Sequence, residues 1–251
     1  MTGLVLKSRW DSPMLRKAAC SIEHAAWSSL GYLNYTRPHF ELYGEVVEKY
    51  PDYQLCLVDE ATGYPVAVAT CAPIACDDEN DLPDEGWDWV VEMAAASARP
   101  ANTLGALAIS VPAVHRANGY ARQMIAALLA LAARNNLSKL VAPVRPSAKA
   151  LHPHVAIDDY MTWKDAKGRA FDPWLRSHLA AGGRMLKPCR RSMVVEEPTA
   201  FWETWFGARF DRSGAYEMPG GLVPVEIDVE GQLGRYAEPN VWFAYDIATR
   251  H

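Results

Sequence analysis

The sequence predicts a mixed α/β (α+β) fold: a twisted, mostly antiparallel sheet flanked by helices. Three observations carry that expectation. Residues 54–58 and 65–74 are apolar runs separated by a turn around Thr62 and Gly63, the pattern of an antiparallel hairpin. Residues 103–111 and 140–144 are further short apolar runs bounded by turn formers, as buried strands are. Between them Met124, Ile125, Leu128, Leu129 and Leu131 recur at helical spacing, making a strand–turn–helix–strand unit for which a right-handed crossover is expected.

The remaining elements follow in order. Residues 4–7 form an opening strand. Asp11 or Ser12 caps a helix that starts at Pro13, where proline is tolerated at the first position, with Leu15, Ala18, Ala19, Ile22, Ala26 and Trp27 on its apolar face. Residues 39–49 read as a second short helix ended by Tyr50 and Pro51. An insertion at 77–102 opens with Asp77, Asp78, Glu79, Asp81, Asp84 and Glu85 and continues with helical character from Trp87. It reads either as a solvated acidic loop before a surface helix or as a wall that attracts a cationic amine. A second insertion spans 147–170. Asp172 and Pro173 then cap a helix that Gly182 and Gly183 end. Strands are expected at 184–187 and 192–195, a tryptophan-rich helix at 198–206, and two strands joined near 231–234. The domain reading is a core over 1–206 with a β extension over 207–251 packed on it. That extension either lengthens the sheet, closes over the site or makes a homodimer contact.

Composition narrows the class. The chain has 251 residues, half of them hydrophobic, and a net charge of −5, so nothing in its overall balance suggests nucleic-acid binding. No apolar run reaches the length of a membrane span, and residues 1–13 lack the apolar core of a signal peptide. The five cysteines include no Cys-x-x-Cys pair and are odd in number, which reads as reduced thiols in a cytoplasmic protein.

The turn before the central helix carries the chemistry. A helix beginning near Asn118 leaves its first amides without carbonyl partners, and its dipole favours an anion there. Gly119 permits close backbone approach, Ala121 keeps the same face open, and Arg116 and Arg122 add positive charge. This is a phosphate cradle built mostly from main chain. It has no Gly-Lys-Ser/Thr and no run of three spaced glycines, so it is neither a Walker loop nor a dinucleotide fingerprint.

Arg116-x-x-Gly119-x-Ala121 resembles the Gln/Arg-x-x-Gly-x-Gly/Ala signature of the GNAT acyltransferase superfamily. The order of elements from the first strand through the fifth resembles that fold as well. The resemblance implies an acyl-CoA-dependent N-acyltransferase with acetyl-CoA or another acyl-CoA as donor, a small-molecule amine as acceptor and no metal. It assigns the donor's pyrophosphate to Arg116, Ala117, Asn118, Gly119, Tyr120, Ala121 and Arg122. It places the pantetheine arm on the backbone of Ile109 and Val111, where the fourth and fifth strands splay apart.

This sequence departs from the superfamily in two places. The fourth strand has no Asp or Glu to act as base, and Trp174 and His178 stand where a helix tyrosine often serves as acid. Candidate catalytic groups are therefore His178, His115, and Asp158, Asp159 and Tyr160 of the second insertion. Arg145, Ser147 and Lys149, just beyond the fifth strand, are candidates for an anionic handle on the acceptor. Trp163, Trp174, Trp202, Trp205 and Trp242 either fill the core or enclose an apolar acceptor. His152 and His154 bracket a proline and read as a solvent-facing turn rather than a metal site. Two alternatives remain at this level. One is a donor carried by an acyl carrier protein or a tRNA, docked on Arg184, Lys187, Arg190 and Arg191. The other is a CoA-binding sensor domain without turnover.

Overall fold

The structure, a computed structural model, describes residues 3–247. Its strands are β1 (Leu4–Ser8), β2 (Gln54–Asp59), β3 (Pro65–Ile74), β4 (Thr103–Ser110), β5 (Lys139–Val144), β6 (Arg184–Pro198), β7 (Gly214–Tyr216), β8 (Val225–Asp228) and β9 (Leu233–Asp246). They join into one sheet of order β1-β2-β3-β4-β5-β9-β8-β7, with β6 on the other edge of β9. The β4–β5 pair is parallel, and the other recorded pairs are antiparallel. The helices are α1 (Pro13–Trp27), α2 (Gly44–Lys49), α3 (Gly86–Ala96), α4 (Tyr120–Arg134), α5 (Ile157–Tyr160), α6 (Pro173–Ala180) and α7 (Thr199–Phe206).

Strand alternation sorts these helices onto two faces. Leu55 and Leu57 of β2 share a core with Met124, Ile125, Leu128 and Leu131 of α4, while Cys56 and Val58 turn the other way against Leu15 and Ala19 of α1. Each α4 leucine so buried contributes roughly 1.5–3 kcal/mol. On the α1 face, Val90, Val91 and Ala94 of α3 pack with Ala72, Ile74, Val141 and Trp242. A Cβ on Gly105 of β4 would lie 2.6 Å from Val90, so the absence of a side chain there lets α3 sit close to the sheet.

The expected caps are present. Ser12 accepts from the Leu15 amide, with Pro13 at the first helical position, while Asp11 closes a capping box with Ser8 one turn earlier. Asp172 caps α6. Two expectations change. The two short strands anticipated within 184–195 are one long strand, β6, bent by register shifts between Met185 and Pro188 and between Cys189 and Met193. The helix expected over 39–49 opens as a π-turn, His39–Tyr43, before becoming α2. The C-terminal segment ends in β9, which pairs with β5, β6 and β8, so of the three arrangements left open it lengthens the sheet. Among the described residues no helix is long and apolar enough to cross a membrane, and the five cysteines are unpaired.

Candidate active site

The β4–β5 ladder covers only Thr103, Leu104 and Gly105 against Lys139, Leu140 and Val141. Beyond that, β4 stays on β3 as far as Ser110 and β5 stays on β9 as far as Val144. The two parallel strands therefore diverge from Ala106 onward. The start of that divergence is a bulge: Thr70 pairs with Ala108 and Cys71 with Ala106, which leaves Leu107 as the extra residue.

The turn into α4 lies just past the open end. Gly119 is the N-cap at φ +77°, and Ala117 also has positive φ, at +65°. For alanine that conformation is strained, as backbones curled around a ligand often are. A Cβ built on Gly119 would meet nothing within 4 Å, so the glycine serves the backbone angle and the space above it is open. No side chain caps this helix, and Gln123 is the first residue of the turn whose amide finds a carbonyl, that of Gly119. Among the described residues, the amides of Ala117 to Arg122 have no recorded acceptor. Exposed Arg116 and half-buried Arg122 stand beside them, and unpartnered amides at a helix start favour an anion.

Comparison with known proteins places the chain in a family. No family model matches the chain. The arginine N-acetyltransferase avaD of Aspergillus versicolor is 35% identical over 205 residues, covering 72% of this chain and 70% of that protein. The chain belongs to the GNAT acyltransferase superfamily. It is accordingly an acyltransferase. Two solved structures share the fold over nearly the whole length. The loading GNATL domain of CurA from Lyngbya majuscula has a TM-score of 0.63 at 17% identity, covering 99% of this chain and 100% of that one. The GNAT-like decarboxylase GphF, solved with isobutyryl-CoA, has a TM-score of 0.55 at 17% identity, covering 98% and 99%.

Relative to this GNAT frame, most residues anticipated for catalysis and acceptor binding are already engaged. His178 is buried, its Nδ1 lies 2.7 Å from the Tyr245 hydroxyl, and burial pushes its pKa down to about 3. Tyr160 is buried and donates to Asp172 Oδ2 at 3.0 Å. Asp158 accepts from Arg190 through both carboxylate oxygens, at 2.5 and 3.2 Å. Asp159 is exposed, and its recorded bonds go through its backbone carbonyl to Thr162. His115 stays beside the cradle, half-buried against the Tyr120 ring at 6.1 Å.

The anticipated acceptor-binding residues tie the chain to itself. Arg145 donates to Glu238 Oε1 at 2.8 Å and to the Gly220 carbonyl at 2.6 Å. Lys149 is fully buried and donates to the carbonyls of His152 at 2.8 Å and Leu222 at 2.7 Å; burial pushes its pKa down to about 8. Ser147 meets Asp172 at 3.4 Å. Trp202 and Trp242 are core residues with no exposure.

The acidic first insertion and the basic cluster on β6 were anticipated separately, as an amine-attracting wall and a carrier-docking patch. They neutralise one another. Glu79 takes Arg184 at 2.6 Å and Lys139 at 3.1 Å, Asp84 takes Arg190 at 3.4 Å, and Glu85 pairs with Arg191. Asp77 takes Arg99 at 2.6 Å, and Asp78 caps the turn at Asn80. The pair of cations, Arg184 first, holds the Glu79 carboxyl at about 2 instead of the usual 4.5. Because folding lowers this pKa, the stability it contributes is complete above about pH 4.5 and is lost as pH falls toward 2. Glu79→Gln should therefore flatten the acid limb of the stability curve in that window, as read by circular dichroism, and leave the neutral limb parallel to wild type.

Proposed function

We propose that the chain is an acyl-CoA-dependent N-acetyltransferase whose acceptor is the amine of a small amino acid with a cationic side chain. The observation that carries this reading is the divergence of β4 and β5 toward the unpartnered amides at the start of α4. Those amides, with Arg116 and Arg122, would hold the donor's pyrophosphate, and the freed edge of β4 around Ile109 and Val111 would take the pantetheine arm. The thioester then lies near the Leu107 bulge, open to an amine arriving from the face of α1 and α3. Fixing donor and acceptor in one complex supplies much of the acceleration.

The cationic amino acid is suggested by the relative, whose name gives arginine as its substrate. Free CoA thioester is favoured over a carrier-protein or tRNA donor because Arg184, Arg190 and Arg191, the bulk of the only dense basic cluster, are committed to carboxylates of the same chain. A cytoplasmic location accords with five unpaired thiols. The test is thiol release from acetyl-CoA with L-arginine, other amino acids, simple amines and peptides as acceptors. Arginine-dependent release is expected. Release only with peptide N-termini would move the acceptor class to proteins, and no release with any acceptor would overturn the reading.

A further inference from the structure

β4 reads Thr-Leu-Gly-Ala-Leu-Ala-Ile-Ser and offers no carboxylate to an incoming amine. What stands over its bulge is a column of aromatic rings. Trp87, in the first turn of α3, donates Nε1 to the carbonyl of Leu107 at 3.0 Å. His39 lies on the Trp87 ring at 5.5 Å and 20°, and on the Tyr43 ring at 4.7 Å and 21°. Tyr43 and Trp87 are themselves 5.4 Å apart. The imidazole is thus held face to face with two rings, one of which is bonded to the Leu107 carbonyl where β4 leaves β5, yet it is only half-buried.

Its main chain is fixed just as firmly. The Thr36 hydroxyl accepts from the His39 amide at 3.2 Å and donates to Asp88 Oδ1 at 2.8 Å, on the residue after Trp87. Asp88 Oδ2 in turn accepts from the Val194 amide of β6 at 3.0 Å. One network therefore locks the π-turn bearing His39 to the helix bearing Trp87 and to the sheet. Single π-turns of this kind are frequent at functional sites.

The two carboxylates nearest the column, Asp88 and Glu23, are committed. Both oxygens of Asp88 are bonded, and burial pushes its pKa up to about 7. Glu23 is held by Arg9 at 2.5 and 3.1 Å and by Thr70 at 2.9 Å. Burial drives the Tyr43 hydroxyl well up, and it lowers the His39 pKa below its ordinary value against the opposing contact with the Asn34 backbone. A neutral imidazole is the form that accepts a proton.

We infer that His39 is the general base of the acyl transfer, taking the proton of the attacking amine above the Leu107 bulge. This rests on the N-acetyltransferase reading given above. The amine nitrogen bonds to the thioester carbonyl carbon as His39 removes its proton. The tetrahedral intermediate then expels the CoA sulfur, the C–S bond breaks, and the proton passes from His39 to the departing thiolate. Starting from the neutral amine, amide and free thiol result with no net proton change; an acceptor that arrives as ammonium first gives one proton to solvent. His39 thereby fills both roles for which β4 and α6 lack the expected carboxylate and tyrosine.

The test is acetyl-CoA turnover with L-arginine in wild type, His39→Ala and His39→Gln, with the melting-temperature response to CoA followed in each. Both variants should lose about 10²–10⁴-fold in kcat and keep the CoA response, and added imidazole should restore part of the rate to His39→Ala. Wild-type-like kcat in either folded variant would overturn this inference alone. So would a loss that imidazole does not restore and that appears only in the acceptor KM. Should the alanine variant not fold, the glutamine variant decides on kcat alone. Wild type that binds CoA but turns over no acceptor would instead overturn the proposed function, and this inference with it.

Discussion

CoA should raise the melting temperature of the wild-type protein and leave that of Gly119→Glu unmoved. At a concentration of about 100 times Kd, ligand binding to the native state alone adds about 2.7 kcal/mol, which is readily seen as a shift. The glutamate removes it in two ways. It puts a side chain on a backbone at φ +77°, and it places a carboxylate among the unpartnered amides of the α4 turn, where the proposed function puts the donor's pyrophosphate. Gly119→Ala separates the two effects. A methyl there meets open space, so only the backbone strain of about 1 kcal/mol remains and CoA binding should survive in weakened form. Arg116→Ala should also weaken binding only modestly, because most donors in the cradle are main-chain amides.

Asp172→Ala should be strongly destabilising. One carboxylate, 1% exposed, accepts from the amides of Ala148, Trp174 and Leu175 and from the hydroxyls of Tyr160 and Ser147. Its loss uncaps α6 and strands a buried tyrosine hydroxyl and the Ala148 amide. With about 1 kcal/mol for the cap and about 1–3 for each of the two orphaned groups, the cost is about 3–7 kcal/mol. Chemical denaturation of the variant checks it. Asp172→Asn, which keeps one acceptor oxygen, should recover part of the difference.

The turn into α4 was legible in sequence because everything it needs is local: a glycine in a left-handed turn, a helix start and a preceding buried strand lie within twenty residues. The caps at Ser12 and Asp172 are local for the same reason. The fate of the polar residues was not legible, because it depends on what folds over them from far away. Arg145 meets Glu238 and Gly220, Lys149 meets Leu222, and Glu79 meets Arg184, each separated by some 70–105 positions. Read alone, each is a charge free to meet a ligand. The place of β9 inside the sheet was hidden similarly, since alternation identifies a strand but not its neighbours. His39 escaped notice because 39–49 reads as an ordinary helix, and neither its π-turn nor its stacking on Trp87 leaves a periodic mark.

The most direct test of the central claim is the fate of the acetyl group. Acetyl-CoA and L-arginine are incubated with the enzyme, and free CoA thiol and N-acetylated arginine are quantified together. Transfer at the β4–β5 divergence predicts equal amounts of the two, both requiring enzyme and acceptor and both absent with Gly119→Glu. Thiol released without acetylated product, or product formed equally well by Gly119→Glu, would contradict it.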